Sequence, residues 1–91
     1  MGEVLKNLVG SRVRKRRLEL DITQDAFAAR CQTAGWDLSR GTFSKIEAGL
    51  RRVNDAEVVL LAKILKCPVG DLLEEFPKSS IIAVARNGNT A

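Results

Sequence analysis

The sequence predicts an all-α domain, on three observations. Apolar residues recur three and four positions apart in successive segments, as in Val58, Leu61, Ala62 and Leu65, the spacing that gives a helix one buried side. Good capping residues and glycine stops punctuate those segments. Nothing alternates with the two-residue period of a strand except residues 81–84, a run too short to define one. With 91 residues, 45% hydrophobic and 29% charged, the chain can bury one small core. Residues 1–76 are expected to form the domain and residues 77–91 a tail.

The first helix is expected over residues 4–20. Leu5, Leu8, Val9, Val13 and Leu20 form its apolar stripe, and Arg12, Arg14, Lys15, Arg16 and Arg17 its polar side. Thr23 caps the second helix, with Asp25 favourably placed against the helix dipole. That helix buries Phe27, Ala28 and Cys31, runs to about Ala34 and stops at Gly35. Residues 36–38 make the connection, Ser39 caps a third helix, and Gly49 closes it. Asn54 and Glu57 form a capping box for the fourth helix, whose inward side is Val58, Leu61, Ala62 and Leu65. Pro68 suits the first turn of a fifth helix with Val69, Leu72, Leu73 and Phe76 inward, and Pro77 ends it. Beyond it, Ser, Asn, Gly and Thr surround the apolar patch Ile81, Ile82, Ala83 and Val84. This is either a frayed tail or an edge strand or hydrophobic arm that completes a dimer.

The net charge of +4 is unevenly distributed. Eleven of the fifteen Lys and Arg fall in residues 1–52, against six of the eleven acids. Such asymmetry points the first half toward a polyanion. No cofactor is implied, and two cysteines without any histidine give no zinc site. Cys31 and Cys67 lie in apolar helical patterns and are expected as free core thiols. Nucleophile–base triads lack their histidine, Ser44 and Lys45 project in different directions from one helix, and no glycine loop cradles a phosphate. The chain is therefore not expected to be an enzyme. It has no membrane-length apolar run, and a cytoplasmic location is expected.

The third helix, 39–49, carries the functional signal. Phe43, Ile46 and Leu50 lie on one side, while Arg40, Gly41, Ser44, Lys45 and Ala48 share the other. That outer arc holds two cations, small residues and no acid; Glu47 falls at its border. A narrow cationic face suits the DNA major groove, about 12 Å wide, where Arg or Lys donates to guanine and Ser serves several base edges. Gly41 and Ala48 permit close approach.

Several stretches in order resemble the Cro/repressor-type helix-turn-helix family of phage and bacterial regulators. They are Val13-x3-Arg17, then Ile22-Thr23-Gln24-x2-Phe27-Ala28, then Phe43-Ser44-x-Ile46-Glu47-Ala48-Gly49, then Leu61-Ala62-x2-Leu65 with Asp71-Leu72-Leu73. The resemblance covers about residues 8–75 and implies a compact five-helix bundle followed by the short tail. It implies that Arg40, Gly41, Ser44 and Lys45 face bases, that Gln24 touches DNA backbone and locks the third helix, and that Arg51 and Arg52 contact phosphate. Arg14, on the polar side of the first helix, joins these as a candidate backbone contact. The resemblance also implies an ion pair of Arg17 with Glu47, a role for which the helical wheel leaves Arg16 equally placed. The span from Gln24 to Glu47 is about five residues longer than the family's usual spacing. The surplus is expected to lengthen the second helix and the loop after it, with Trp36 packing over that corner or contacting DNA.

The implied function is a sequence-specific double-stranded DNA-binding transcriptional regulator, a repressor that reads the major groove with helix 39–49. A homodimer is expected because one short helix reads few bases, with Phe76 and the patch at 81–84 as its apolar surface. The alternative is an antitoxin-like DNA-binding protein that also binds a partner protein. A helical adaptor without DNA binding is a third reading, disfavoured by Arg51, Arg52 and the open cationic face.

Overall fold

The computed structural model describes residues 5–88. Six helices follow one another: α1 (Gly10–Glu19), α2 (Gln24–Thr33), α3 (Arg40–Glu47), α4 (Asp55–Ile64), α5 (Gly70–Leu73) and α6 (Lys78–Gly88). No strand occurs among the described residues. Phe27, Phe43, Ile46, Leu61, Leu65, Leu72, Val9, Val13 and Cys31 are fully buried at the centre. The Phe27 and Phe43 rings stack with centroids 4.5 Å apart, so α2 and α3 pack as one unit.

The caps form as their side chains dictate. Thr23 Oγ1 accepts from the Ala26 N–H, Ser39 Oγ from the Thr42 N–H, and Asn54 and Glu57 exchange the two bonds of a capping box. Four helices end alike, through a left-handed residue whose successor donates its N–H back into the last turn. Gly35 (φ 95°) and Gly49 (φ 77°) supply that residue after α2 and α3; Asp21 (φ 56°) and Lys66 (φ 57°) do so after α1 and α4.

Three boundaries differ from expectation. Helix α1 starts at Gly10 instead of continuing from residue 4; Val4 itself lies outside the described residues. Asn7 Oδ1 accepts from the Gly10 N–H, and the Lys6 N–H donates to Gly49 O, so residues 5–9 are bound to the end of α3 and cannot coil into the helix. Leu5 is correspondingly exposed. The fifth helix is a single turn. Leu72 is buried, but Leu73 turns outward at 43% exposure and Phe76 lies beyond the helix under the Arg12 guanidinium, 4.3 Å from its centroid. Pro77 starts a helix rather than ending one, since its carbonyl accepts from the Ser80 and Ile81 N–H groups, a role that needs no N–H of its own. Residues 78–88 are thus a sixth helix where a tail was expected; residues 89–91 lie outside the described ones.

Helix α1 meets the end of α3 almost backbone to backbone. A Cβ at Gly10 would overlap Ile46 O and lie 2.8 Å from Glu47 O, so only glycine fits.

Candidate nucleic-acid interface

Helix α3 turns Phe43, Ile46 and Glu47 inward and leaves Arg40, Gly41, Lys45 and Ala48 exposed, with Ser44 half-buried. Nothing lies within 4 Å of a Cβ built at Gly41, so the small side of the helix is open. Arg40 Nε is 3.5 Å from Asp25 Oδ1 of α2, with both side chains largely exposed. A pair this wet and long contributes little. It leaves Arg40 able to change partners.

Glu47, the one carboxylate of α3, is removed from the outer face. Arg17 Nε donates to its Oε2 at 2.7 Å and Arg17 Nη2 to its Oε1 at 3.1 Å; Arg17 Nη1 donates to Ile22 O at 2.7 Å. The two side chains are only 8% and 3% exposed. The bonds to Glu47 hold the Arg17 guanidinium above its ordinary range despite burial. Gln24 Nε2 also donates to Glu47 Oε1, at 2.9 Å, tying the start of α2 to the end of α3. The structure therefore brings Arg17, Gln24 and Glu47 together, while Arg16 turns elsewhere. Its Nε and Nη2 donate to Leu65 O and Lys66 O at the end of α4.

The two arginines after Gly49 differ. Arg51, implied by the resemblance to contact phosphate, is half-buried and paired within the chain. Its Nη1 and Nη2 donate to the two oxygens of Glu57 at 3.1 and 2.9 Å, and Nη1 also donates to Arg52 O. Arg52 is exposed and makes one long bond, Nη2 to Asn87 O at 3.2 Å. Arg14 is exposed on α1. The surplus of Lys and Arg in the first half thus serves two ends: Arg12, Arg16, Arg17 and Arg51 are buried or half-buried and donate to the protein's own oxygens, Arg12 to Asp71 O and Glu75 O, whereas Arg14, Arg40, Lys45 and Arg52 are exposed.

Hydrogen bonds from Arg51, and secondarily from the Asn54 N–H, hold the Glu57 carboxyl below its ordinary value of 4.5. A depressed carboxyl contributes stability that is present above the unfolded value and disappears as pH falls through the folded one. Wild type should therefore melt above Glu57→Gln at about pH 7, and the gap should close as pH drops below the ordinary carboxyl range toward about pH 3. A gap of constant size across that interval would contradict the pairing.

Helix α2 runs for ten residues, Gln24–Thr33, and residues 34–39 connect it to α3. Leu38 is buried, Trp36 packs against the core, and Gln32 Nε2 donates to Leu38 O, so the loop is anchored by its own side chains. Burial pushes the Cys31 thiol up to about 11 and raises Cys67 as well; both are free, and neither is poised as a nucleophile. Among the described residues no cluster could hold a metal ion, and no helix is long and apolar enough to cross a membrane.

A buried ion pair from α1 and a hydrogen bond from the start of the Thr23-capped α2 turn the single acid of α3 inward and leave its cations outside, the arrangement of a helix-turn-helix domain. A family model described as helix-turn-helix matches residues 13–72, and the chain belongs to that family, in its Cro/C1-type branch. The family is one of DNA-binding transcription regulators. No curated protein and no solved structure matches the chain.

Sequence reasoning missed Asn7 and the Glu57 partner of Arg51. Glu57 was legible as a capping residue, and a capping carboxylate six residues from an arginine is a signal for the second role. Asn7 three residues before Gly10 has the spacing of a side-chain cap, obscured by the apolar residues around it.

Proposed function

We propose that the protein is a sequence-specific double-stranded DNA-binding regulator that acts in the cytoplasm as a repressor, by occupying an operator. The carrying observation is the inward turn of Glu47. With that carboxylate held by Arg17 and Gln24, α3 presents Arg40, Gly41, Ser44 and Lys45 without a negative charge of its own. In this reading Arg40 exchanges Asp25 for a base edge or phosphate. Lys45 and Ser44 face bases, and Gly41 lets the backbone approach. Arg52, Arg14 and the amide of Gln24 contact phosphates. Arg51 supports the loop through Glu57 instead.

One such helix reads few bases, so two copies pair on a two-fold site with half-sites about 34 Å apart, or a multiple of that. Helix α6 is the proposed contact, because Ile81 and Ile82 stay 44% and 43% exposed on it in the less basic half of the chain. The antitoxin-like reading would place a partner protein on the same strip. Selection of bound sites from random duplex DNA, with the mass of the complex measured in parallel, separates these. The expected result is a palindromic site bound by two chains. Recovery of sites with no shared sequence would contradict the regulator, and a second protein co-purifying on α6 would favour the alternative.

A further inference from the structure

We propose that Asn7 is a positioning residue of the DNA-reading surface: its amide locks the recognition helix and the Arg52 loop into one rigid unit without touching DNA. The proposal rests on the DNA-binding reading above. Asn7 lies outside the matched family segment, 13–72, and is 6% exposed. Its side chain joins three separate pieces of backbone. Oδ1 accepts from the Gly10 N–H at 2.8 Å, while Nδ2 donates to Ile46 O at 3.1 Å and to Arg51 O at 2.7 Å. The opposite amide orientation would set an NH2 against an N–H and an oxygen against two carbonyls, so the network fixes the assignment.

The positions of those carbonyls give the residue its role. Ile46 O lies in the last turn of α3, where the regular i+4 donor is lost; it accepts from the Gly49 N–H at 3.0 Å and, as its tie to the N-terminal segment, from Asn7. Arg51 O belongs to the loop that carries the exposed Arg52. A cap for α1 alone would need only the oxygen of Asn7; both amide hydrogens serve the DNA-facing elements, 39 and 44 residues away in sequence. The neighbouring contacts set the same distance. The Lys6 N–H donates to Gly49 O at 2.8 Å, and Gly10 permits no separation by a side chain. Helix α6 adds a tie from outside, as Asn87 Nδ2 donates to Leu5 O and Asn87 O accepts from Arg52. Base contacts demand that α3 and the phosphate-binding loop hold one register together, whereas phosphate contacts alone tolerate a shift.

The test uses the full chain, its selected operator and a random duplex of equal length. Asn7→Asp retains the oxygen that accepts from Gly10 and replaces the donor amide by an oxygen facing two carbonyls. Asn7→Ala removes both functions without adding charge. Measured where circular dichroism shows the variants folded, operator affinity should fall about tenfold or more and random-duplex affinity by less than about threefold. Leu72→Ala, a core variant on α5 destabilised at least as much, should leave the operator-to-random ratio unchanged. Operator preference retained in both Asn7 variants would overturn the proposal alone. Failure of both to fold would also overturn it, by making Asn7 a folding residue. A wild-type chain that binds all duplexes equally would overturn the DNA reading and this proposal together.

Discussion

Glu47→Gln should lower the melting temperature by on the order of 10 °C or more. The substitution keeps the shape of the side chain and removes its charge, leaving the Arg17 guanidinium buried without a counter-ion. Breaking one side of a buried pair costs about 3–5 kcal/mol, and in a domain of this size each kcal/mol shifts the midpoint by roughly 4–8 °C. The 8% and 3% exposure of the two side chains justifies the buried case over the weak surface one. The new amide would also point an N–H toward the donors of Arg17 and Gln24, which both bond to the present carboxylate. Thermal melting checks this, and an unaltered midpoint would contradict it. Replacing both partners, as in Arg17→Met with Glu47→Leu, should recover much of the loss, since a buried pair is often no better than apolar groups of its size.

Phe43→Ala should destabilise the domain by about 3–5 kcal/mol, the usual cost of deleting a fully buried ring. Phe43 has no exposed surface, and its stacking on Phe27 at 4.5 Å adds about 0.5–1.5 kcal/mol that alanine cannot replace. Domains of this size have on the order of 5–15 kcal/mol in total. The variant should therefore lie close to its unfolding midpoint at ordinary temperature and lose α2–α3 packing first. Urea denaturation with an unchanged m-value measures it. A loss below about 2 kcal/mol would mean that the two helices do not depend on this contact.

The helices and their caps were legible because each rests on local chemistry. Thr23, Ser39 and the Asn54–Glu57 box need only their own backbone neighbours, and all three form. The inward face of α4 was legible for a similar reason, since Val58, Leu61, Ala62 and Leu65 keep strict helical spacing. What the sequence concealed depends on distant partners. Residues 5–9 have an apolar stripe fit for a helix, yet bonds from Lys6 and Asn7 to Gly49 O, Ile46 O and Arg51 O hold the segment against the end of α3, in bends rather than helical turns. Helix α6 was concealed because Ile81, Ile82, Ala83 and Val84 are consecutive rather than periodic, and because Pro77 can serve before a helix as readily as after one. At the candidate site, the outward arc of α3 followed from the wheel. The choice of Arg17 over Arg16 did not, because only the fold shows that Arg16 faces the end of α4. Arg51 illustrates the same limit: two adjacent arginines look alike in sequence until Glu57 engages one of them.

The central claim is that the outer side of α3 reads base edges. Its most direct test is the affinity of Arg40→Ala and Lys45→Ala for the selected operator and for random duplex, at one fixed salt concentration. Base contacts specify while phosphate contacts position, and a good base pairing contributes about 1–3 kcal/mol of discrimination. Each variant should therefore lose roughly five- to hundred-fold in the operator-to-random ratio. Arg52→Ala should instead weaken both duplexes alike and reduce the salt slope by about 0.9. Equal losses on operator and random DNA for Arg40→Ala and Lys45→Ala would place these residues on phosphates and contradict the assignment of α3 as the reading helix.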